Sequence, residues 1–257
     1  MRRISHGRGG SSLVHHDTAA ALADAGFVVA AISHPRDNFQ DKSGQGHLSI
    51  YATRPADIKR LVDYMLGTWV GKAAPDPSRV GLFGFSMGGY TGLVSVGAVP
   101  DFHLIDGLCA PAVVVDPLSI VFDADHLKTM TLPIQLWASA FGGDGIVARD
   151  VEALHHALPV EPEWHLVQNA THFAFVAPCT LPMANALPEI CNDRPGFDRV
   201  AFHGDFNAQV VAFFGQHLGS PEKHLWALHG LRLQQATRRR GAALRWSSCR
   251  PRPPRRP

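Results

Sequence analysis

Four stretches of this chain are apolar without alternation: FVVAAISHP at 27–35, VGLFGF at 80–85, LCAPAVVVD at 108–116 and LPIQLWAS at 132–139. A strand with one wet face alternates apolar and polar residues, so continuous runs mark strands buried on both faces, as in a parallel sheet. Such a sheet needs covers on both sides, and the intervening segments supply them. HHDTAAALADAG (15–26) reads as a helix with Asp17 as its cap and Gly26 as its stop. RPADIKRLVDYMLGTW (54–69) places Ile58, Leu61, Val62, Met65 and Leu66 at helical spacing. YTGLVSVGA (90–98) and ARDVEALHHAL (148–158) read as helices, EWHLVQN (163–169) as a strand. A last amphipathic helix within 197–218 carries Phe202, Phe206, Val210, Phe213 and Leu218 on one stripe. Strands alternating with helices predict an α/β fold, a mostly parallel sheet with helices on both faces.

With 257 residues, 46% of them hydrophobic, the chain can bury one sizeable core. The net charge of +2 hides an asymmetry, because residues 219–257 hold ten Lys or Arg and a single acid, Glu222. The part before Gly219 has 14 basic and 21 acidic residues. An acidic body argues against a nucleic-acid partner, whose binding domain would carry clustered positive charge. The expected division is one domain over 1–218 and a basic, Arg/Pro-rich, disordered tail over 219–257. No stretch reaches the roughly 18 apolar residues of a membrane span, and the N-terminus has no signal-peptide core. As written, the chain reads as cytoplasmic. Cys109, Cys179, Cys191 and Cys249 form no CxxC pair and no zinc-type grouping. Cys179 and Cys191 share one loop-rich segment, and they read equally as a bridge in an oxidising compartment or as two thiols.

The apolar run 80–85 stops at a serine between glycines, in GFSMGG. At average glycine usage, GxSxG arises by chance in roughly one chain in ten, so its context decides. Here it closes a strand and opens a helix, the setting of a nucleophile elbow that lifts a serine hydroxyl out of the backbone. The competing structural reading is a serine that caps the helix. A hydroxyl near neutral pH needs a base, a group to orient the base, and donors for the oxyanion. His172, in NATHFAF after the last predicted strand, is the expected base for Ser86. Asp144, in the glycine-rich FGGDGIV loop, is the expected orienting acid, with Asp116 the runner-up and Asp150 behind it. HGRGG at 6–10 supplies an oxyanion loop, so Gly7, Arg8 and Met87 are expected to contribute its amides. Phe173 and Phe175 beside the base suggest an apolar wall to the substrate pocket. No GxGxxG or Walker lysine pattern marks a phosphate loop. Neighbouring His15, His16 and Asp17 diverge around a helix, so no metal site is expected.

With HGRGG, GFSMGG, GGDG and THFAF in this order, the chain resembles α/β-hydrolases, and more narrowly the predicted dienelactone hydrolases related to platelet-activating-factor acetylhydrolases. The likeness covers about residues 5–218. It implies a serine esterase using Ser86, His172 and Asp144, with no metal or organic cofactor and a small-molecule ester or lactone of short acyl chain as substrate. Dienelactone hydrolases proper use cysteine at the position of Ser86. Members of the group enter the oxyanion loop through an apolar strand preceded by others, and often begin with an export signal. Here MRRIS stands in their place, which predicts a truncated N-terminal strand that pairs poorly in the sheet interior. If a longer natural precursor carries an export signal, the location becomes periplasmic or secreted and a Cys179–Cys191 bridge plausible. The alternative function is then a catalytically inactive module of the same fold, with peptidase or acyltransferase chemistry as a third option. Residues 176–200 are the expected position of a lid.

Overall fold

The computed structural model describes residues 1–71, 74–100 and 110–219. The basic tail from residue 220 onward, Cys109 and Cys249 lie outside the described residues. The strands are β1 (Arg2–Ser5), β2 (Val29–Ile32), β3 (Gly81–Phe85), β4 (Ala112–Val115), β5 (Ile134–Ser139) and β6 (Glu163–Val167). The helices are α1 (His16–Asp24), α2 (Ser49–Gly67), α3 (Met87–Ser95), α4 (Ala124–Leu127), α5 (Ala148–Ala157), α6 (Leu181–Ala186), α7 (Pro188–Cys191) and α8 (Arg199–Leu218), with a 3-10 turn at His172–Phe175. All strand pairs are parallel, in the order β2-β1-β3-β4-β5-β6.

The unalternating runs are explained by burial on both faces. In β3 and β4, Phe83, Phe85, Val113 and Val115 pack with Leu22 of α1 and Phe206 and Val210 of α8. Their neighbours point the other way: Val114 meets Leu93 of α3 and Val151 of α5, and Leu82 meets Ile58 and Val62 of α2. α2 begins at Ser49, before Pro55, where the sequence suggested a start at Arg54. Proline ordinarily breaks a helix because the carbonyl four residues earlier loses its donor. Here the Tyr90 hydroxyl donates to the Tyr51 carbonyl at 3.1 Å, which offsets that loss.

Asp17 does not cap α1. It lies in the first turn and accepts from His203 Nδ1 at 2.6 Å and Asn207 Nδ2 at 2.8 Å, tying α1 to α8.

The short first strand pairs fully, against expectation: Arg2 to Ser5 are in register with Val29 to Ile32 on one side and Gly81 to Gly84 on the other. Its cost falls on side chains instead. Arg2 is sandwiched by Phe27 and Phe214, at 3.9 and 4.9 Å from the ring centroids, and donates to the Met1 and Arg79 carbonyls. Arg3 is fully buried, has no carboxylate partner among the described residues, and leaves Nη1 and Nη2 without acceptors. Burial pulls its guanidinium down to about 9. Taking a charge out of water costs several kcal/mol unless partners compensate it. Arg3→Met is therefore expected to raise the urea midpoint at pH 7.5. A lower midpoint would show that this guanidinium contributes net stability.

Candidate active site

β3 delivers Ser86 to the C-terminal edge of the sheet with φ 57° and ψ −121°, a strained conformation for a residue with a Cβ. The turn is locked from several sides. Ser86 N donates to Val115 O at 2.9 Å, and Ser86 O accepts from the amides of Gly89, Tyr90 and Leu118 at 2.8, 3.1 and 3.0 Å. Gly88 is required by contact, since a Cβ there would stand 2.0 Å from Ser5 O. The helix-cap explanation of the serine fails: Ser86 occupies the N-cap position of α3, yet its side chain makes no capping bond.

His172 opens the 3-10 turn, its backbone held by a 2.7 Å bond to Gly142 O. Its ring stacks on Phe85, centroids 4.5 Å apart and planes at 24°, which places it beside the residue preceding the serine. Nδ1 lies 2.6 Å from Asp116 Oδ2. Asp116 directly follows β4 with φ 42° and is fixed by the Ser139 amide at 3.0 Å and hydroxyl at 2.8 Å. The pair is buried, with His172 1% and Asp116 0% exposed, and Nε2 of His172 has no partner among the described residues.

Asp144, the acid expected from sequence, is elsewhere. Gly142, Gly143, Asp144 and Gly145 all have positive φ, and reciprocal bonds of 2.9 Å between Gly143 and Ile146 close a two-residue hairpin with Asp144 and Gly145 at its tip. Asp-Gly is the favoured pair for such a turn. The tip carries Asp144 outward, where it is 38% exposed and 3.7 Å from Arg8. Asp150, also weighed, lies in the first turn of α5 and meets Arg149 at 3.6 Å.

The HGRGG loop is beside the serine: a Cβ added at Gly7 would stand 3.2 Å from that of Ser86. The amides of Gly7 and Arg8 have no acceptor among the described residues, and Met87 opens α3, where no intrahelical acceptor exists. Phe175 is not a pocket wall. It is fully buried among Phe202 and Phe206, with ring centroids 5.5 and 5.7 Å away. Phe173 is partly buried, its ring 5.4 Å from that of His172.

Residues 176–200 fold into α6 and α7, stapled by a Cys179–Cys191 disulfide. The segment is anchored near the site, since Arg194 stacks over Phe141 at 3.7 Å and donates to Asn169 at 3.1 Å. An open groove of about 530 Å³ lies between α1 and α8, lined by Asp17, His203 and Asn207 among others; Ser86 and His172 do not line it. Sequence reasoning missed Ser139. Only the apolar run ending in Ser139 offered any signal.

Strand order, elbow and site position together define the α/β-hydrolase fold. The chain is similar to a dienelactone hydrolase from Anabaena variabilis ATCC 29413, with a TM-score of 0.55 and 16% identity over 84% of this chain and 86% of that one. It is also similar to a ferulic acid esterase from Streptomyces cinnamoneus, with a TM-score of 0.64 and 18% identity over 89% of this chain and 70% of that one. No family model matches the sequence, and no curated protein does. No helix among the described residues is long and apolar enough to cross a membrane.

Proposed function

We propose that the protein is a serine hydrolase that cleaves carboxylic esters or lactones of small or short-chain acyl groups through an acyl-enzyme. The observation that carries this reading is the strained, uncapped Ser86, which directly follows Phe85, on whose ring the buried His172 imidazole stacks with its Nδ1 held by Asp116. With the Nδ1 proton directed at Asp116, the lone pair of Nε2 is free to take a proton. His172 takes the Ser86 proton as Oγ attacks the ester carbonyl, then returns it to the leaving alcohol. Water repeats the sequence on the acyl-enzyme and releases the acid. The amides of Gly7, Arg8 and Met87 are the donors for the oxyanion, and each well-placed donor is worth about 10²–10³ in kcat. The names of the two similar structures, a dienelactone hydrolase and a ferulic acid esterase, favour an ester or lactone substrate. The chemistry assigned to these residues calls for no metal or organic cofactor.

The inactive-module reading rested on a poorly paired first strand, and the two-sided register of β1 removes that ground. The disulfide favours an oxidising compartment, periplasmic or extracellular. The test is labelling with a fluorophosphonate, which reacts only with an activated hydroxyl. Native protein is expected to label and to hydrolyse p-nitrophenyl acetate, while Ser86→Ala and heat-denatured protein do neither. Labelling that survives Ser86→Ala would end the assignment.

A further inference from the structure

Gly7 and Arg8 lie between two residues tied to one buried ion pair. Arg54 and Asp37 are each fully buried, 2.7 Å apart between Nη1 and Oδ2. The second arm of the Arg54 fork, Nη2, donates to the carbonyl of His6, immediately before Gly7. The second oxygen of Asp37 accepts from the amide of Gly9, immediately after Arg8, at 3.0 Å, and from Gln45 Nε2 at 2.9 Å. His34 N donates to His6 Nε2 at 3.1 Å, fixing the ring of the same shoulder. A buried ion pair gives little stability that a packed apolar pair would not. An apolar pair, however, cannot hold a carbonyl on one side of the Gly7–Arg8 dipeptide and an amide on the other. That is the task the planar guanidinium fork and the two carboxylate oxygens perform here. Burial pulls the Arg54 guanidinium down to about 10, opposed by Asp37, so the fork stays charged at neutral pH.

We propose that Asp37 and Arg54 are positioning residues that aim the Gly7 and Arg8 amides at the oxyanion. This rests on the serine-hydrolase reading of Ser86. Neither residue touches the reacting atoms; both act through the loop backbone. A purely structural pair would affect melting alone. A positioning pair affects the step in which negative charge develops, which appears in kcat rather than KM.

The experiment compares the full chain with Asp37→Asn and with the milder Gln45→Ala, which removes one of the two donors on Asp37 Oδ1 without unpairing Arg54. Each is assayed well below its own Tm. Asp37→Asn is expected to lower kcat for p-nitrophenyl acetate by about 10²-fold with KM changed less than about threefold, and to weaken a phenylboronic acid, which forms a tetrahedral adduct, by a similar factor. Gln45→Ala is expected to follow in the same direction, by about three- to tenfold in kcat. Amide hydrogen exchange at Gly9 gives a readout that needs no turnover, and its protection should drop in both variants. If Asp37→Asn fails to fold, Gln45→Ala carries both readouts. Unchanged kcat and unchanged Gly9 protection would overturn the proposal while leaving Ser86 as nucleophile. Should the wild type neither label nor turn over, the functional reading fails by itself, and a positioning role for an oxyanion falls with it. Gly9 exchange would then report only whether the ion pair holds the loop.

Discussion

Asp116→Asn is expected to lower kcat by about 10⁴-fold, whereas Asp144→Asn lowers it by less than tenfold. The reason is tautomeric. Asp116 accepts the Nδ1 proton of His172 at 2.6 Å, leaving Nε2 as the base. An asparagine whose Oδ1 keeps the Ser139 amide can turn its NH₂ to Nδ1, which would put the imidazole proton on Nε2 and disarm it. Asp144 has no such contact, and its 3.7 Å pairing with Arg8 is half in solvent, where an ion pair is worth about 0–1 kcal/mol. Both variants are to be compared in kcat and KM on the same activated ester, with Ser86 phosphonylation rates as a second readout. If Asp144→Asn proved the crippling change, the acid would have to move into place only with substrate bound, and the closed arrangement of Asp116 would not be the working one.

A second large effect is loss of stability in mild acid. Burial lowers His6 to about 4 and His15 to about 3, and pulls His34 well below its ordinary 6.5; nearby Arg54 adds to the shift at His6 and His34. Each ring is neutral in the fold, while in the unfolded chain it gains a proton below about 6.5. The unfolded state then binds more protons, so stability is undiminished above pH 6.5 and falls as the pH drops toward 4. Well below 6.5, each ring costs up to about 1.4 kcal/mol per pH unit, comparable over two units to much of a typical net stability of about 5–15 kcal/mol. Asp17 adds a separate loss at lower pH. Against the opposing effect of burial, hydrogen bonds from His203 and Asn207 hold it at about 2, so its contribution is present above 3.8 and lost as the pH falls toward 2. Urea midpoints from pH 7.5 to 4.5 measure the histidine slope. His15, buried and packed edge-on to Phe83 and Phe85, is the cleanest probe. His15→Leu should reduce that slope by about one third, and an unchanged slope would mean the ring is already charged in the fold.

The parallel sheet, its helical covers and the elbow at Ser86 were legible because they are local or periodic. Unalternating runs follow from strands buried twice over, and the glycine after Met87 is required wherever a strand turns into a helix against a neighbouring carbonyl. His172 could be found by its place in chain order, after the last strand. The Asp-Gly pair at 144–145 was visible too, but it specified a tight turn that leaves Asp144 partly exposed and paired with Arg8, while His172 Nδ1 is held by Asp116.

What the sequence alone determined was the layered α/β architecture, the elbow at Ser86 and the place of His172 after the last strand, since each is encoded within a few consecutive residues. Tertiary structure decided which carboxylate meets His172, because β4 and β5 lie side by side in the sheet and Ser139 fixes Asp116 toward His172 across 56 residues of chain. It also decided what braces the loop at residues 6–10. Arg54 and Asp37 meet His6 and Gly9 only after strand β1 is laid beside β2 and covered by α2, and no pattern along the chain records a contact made by folding two distant segments over a third.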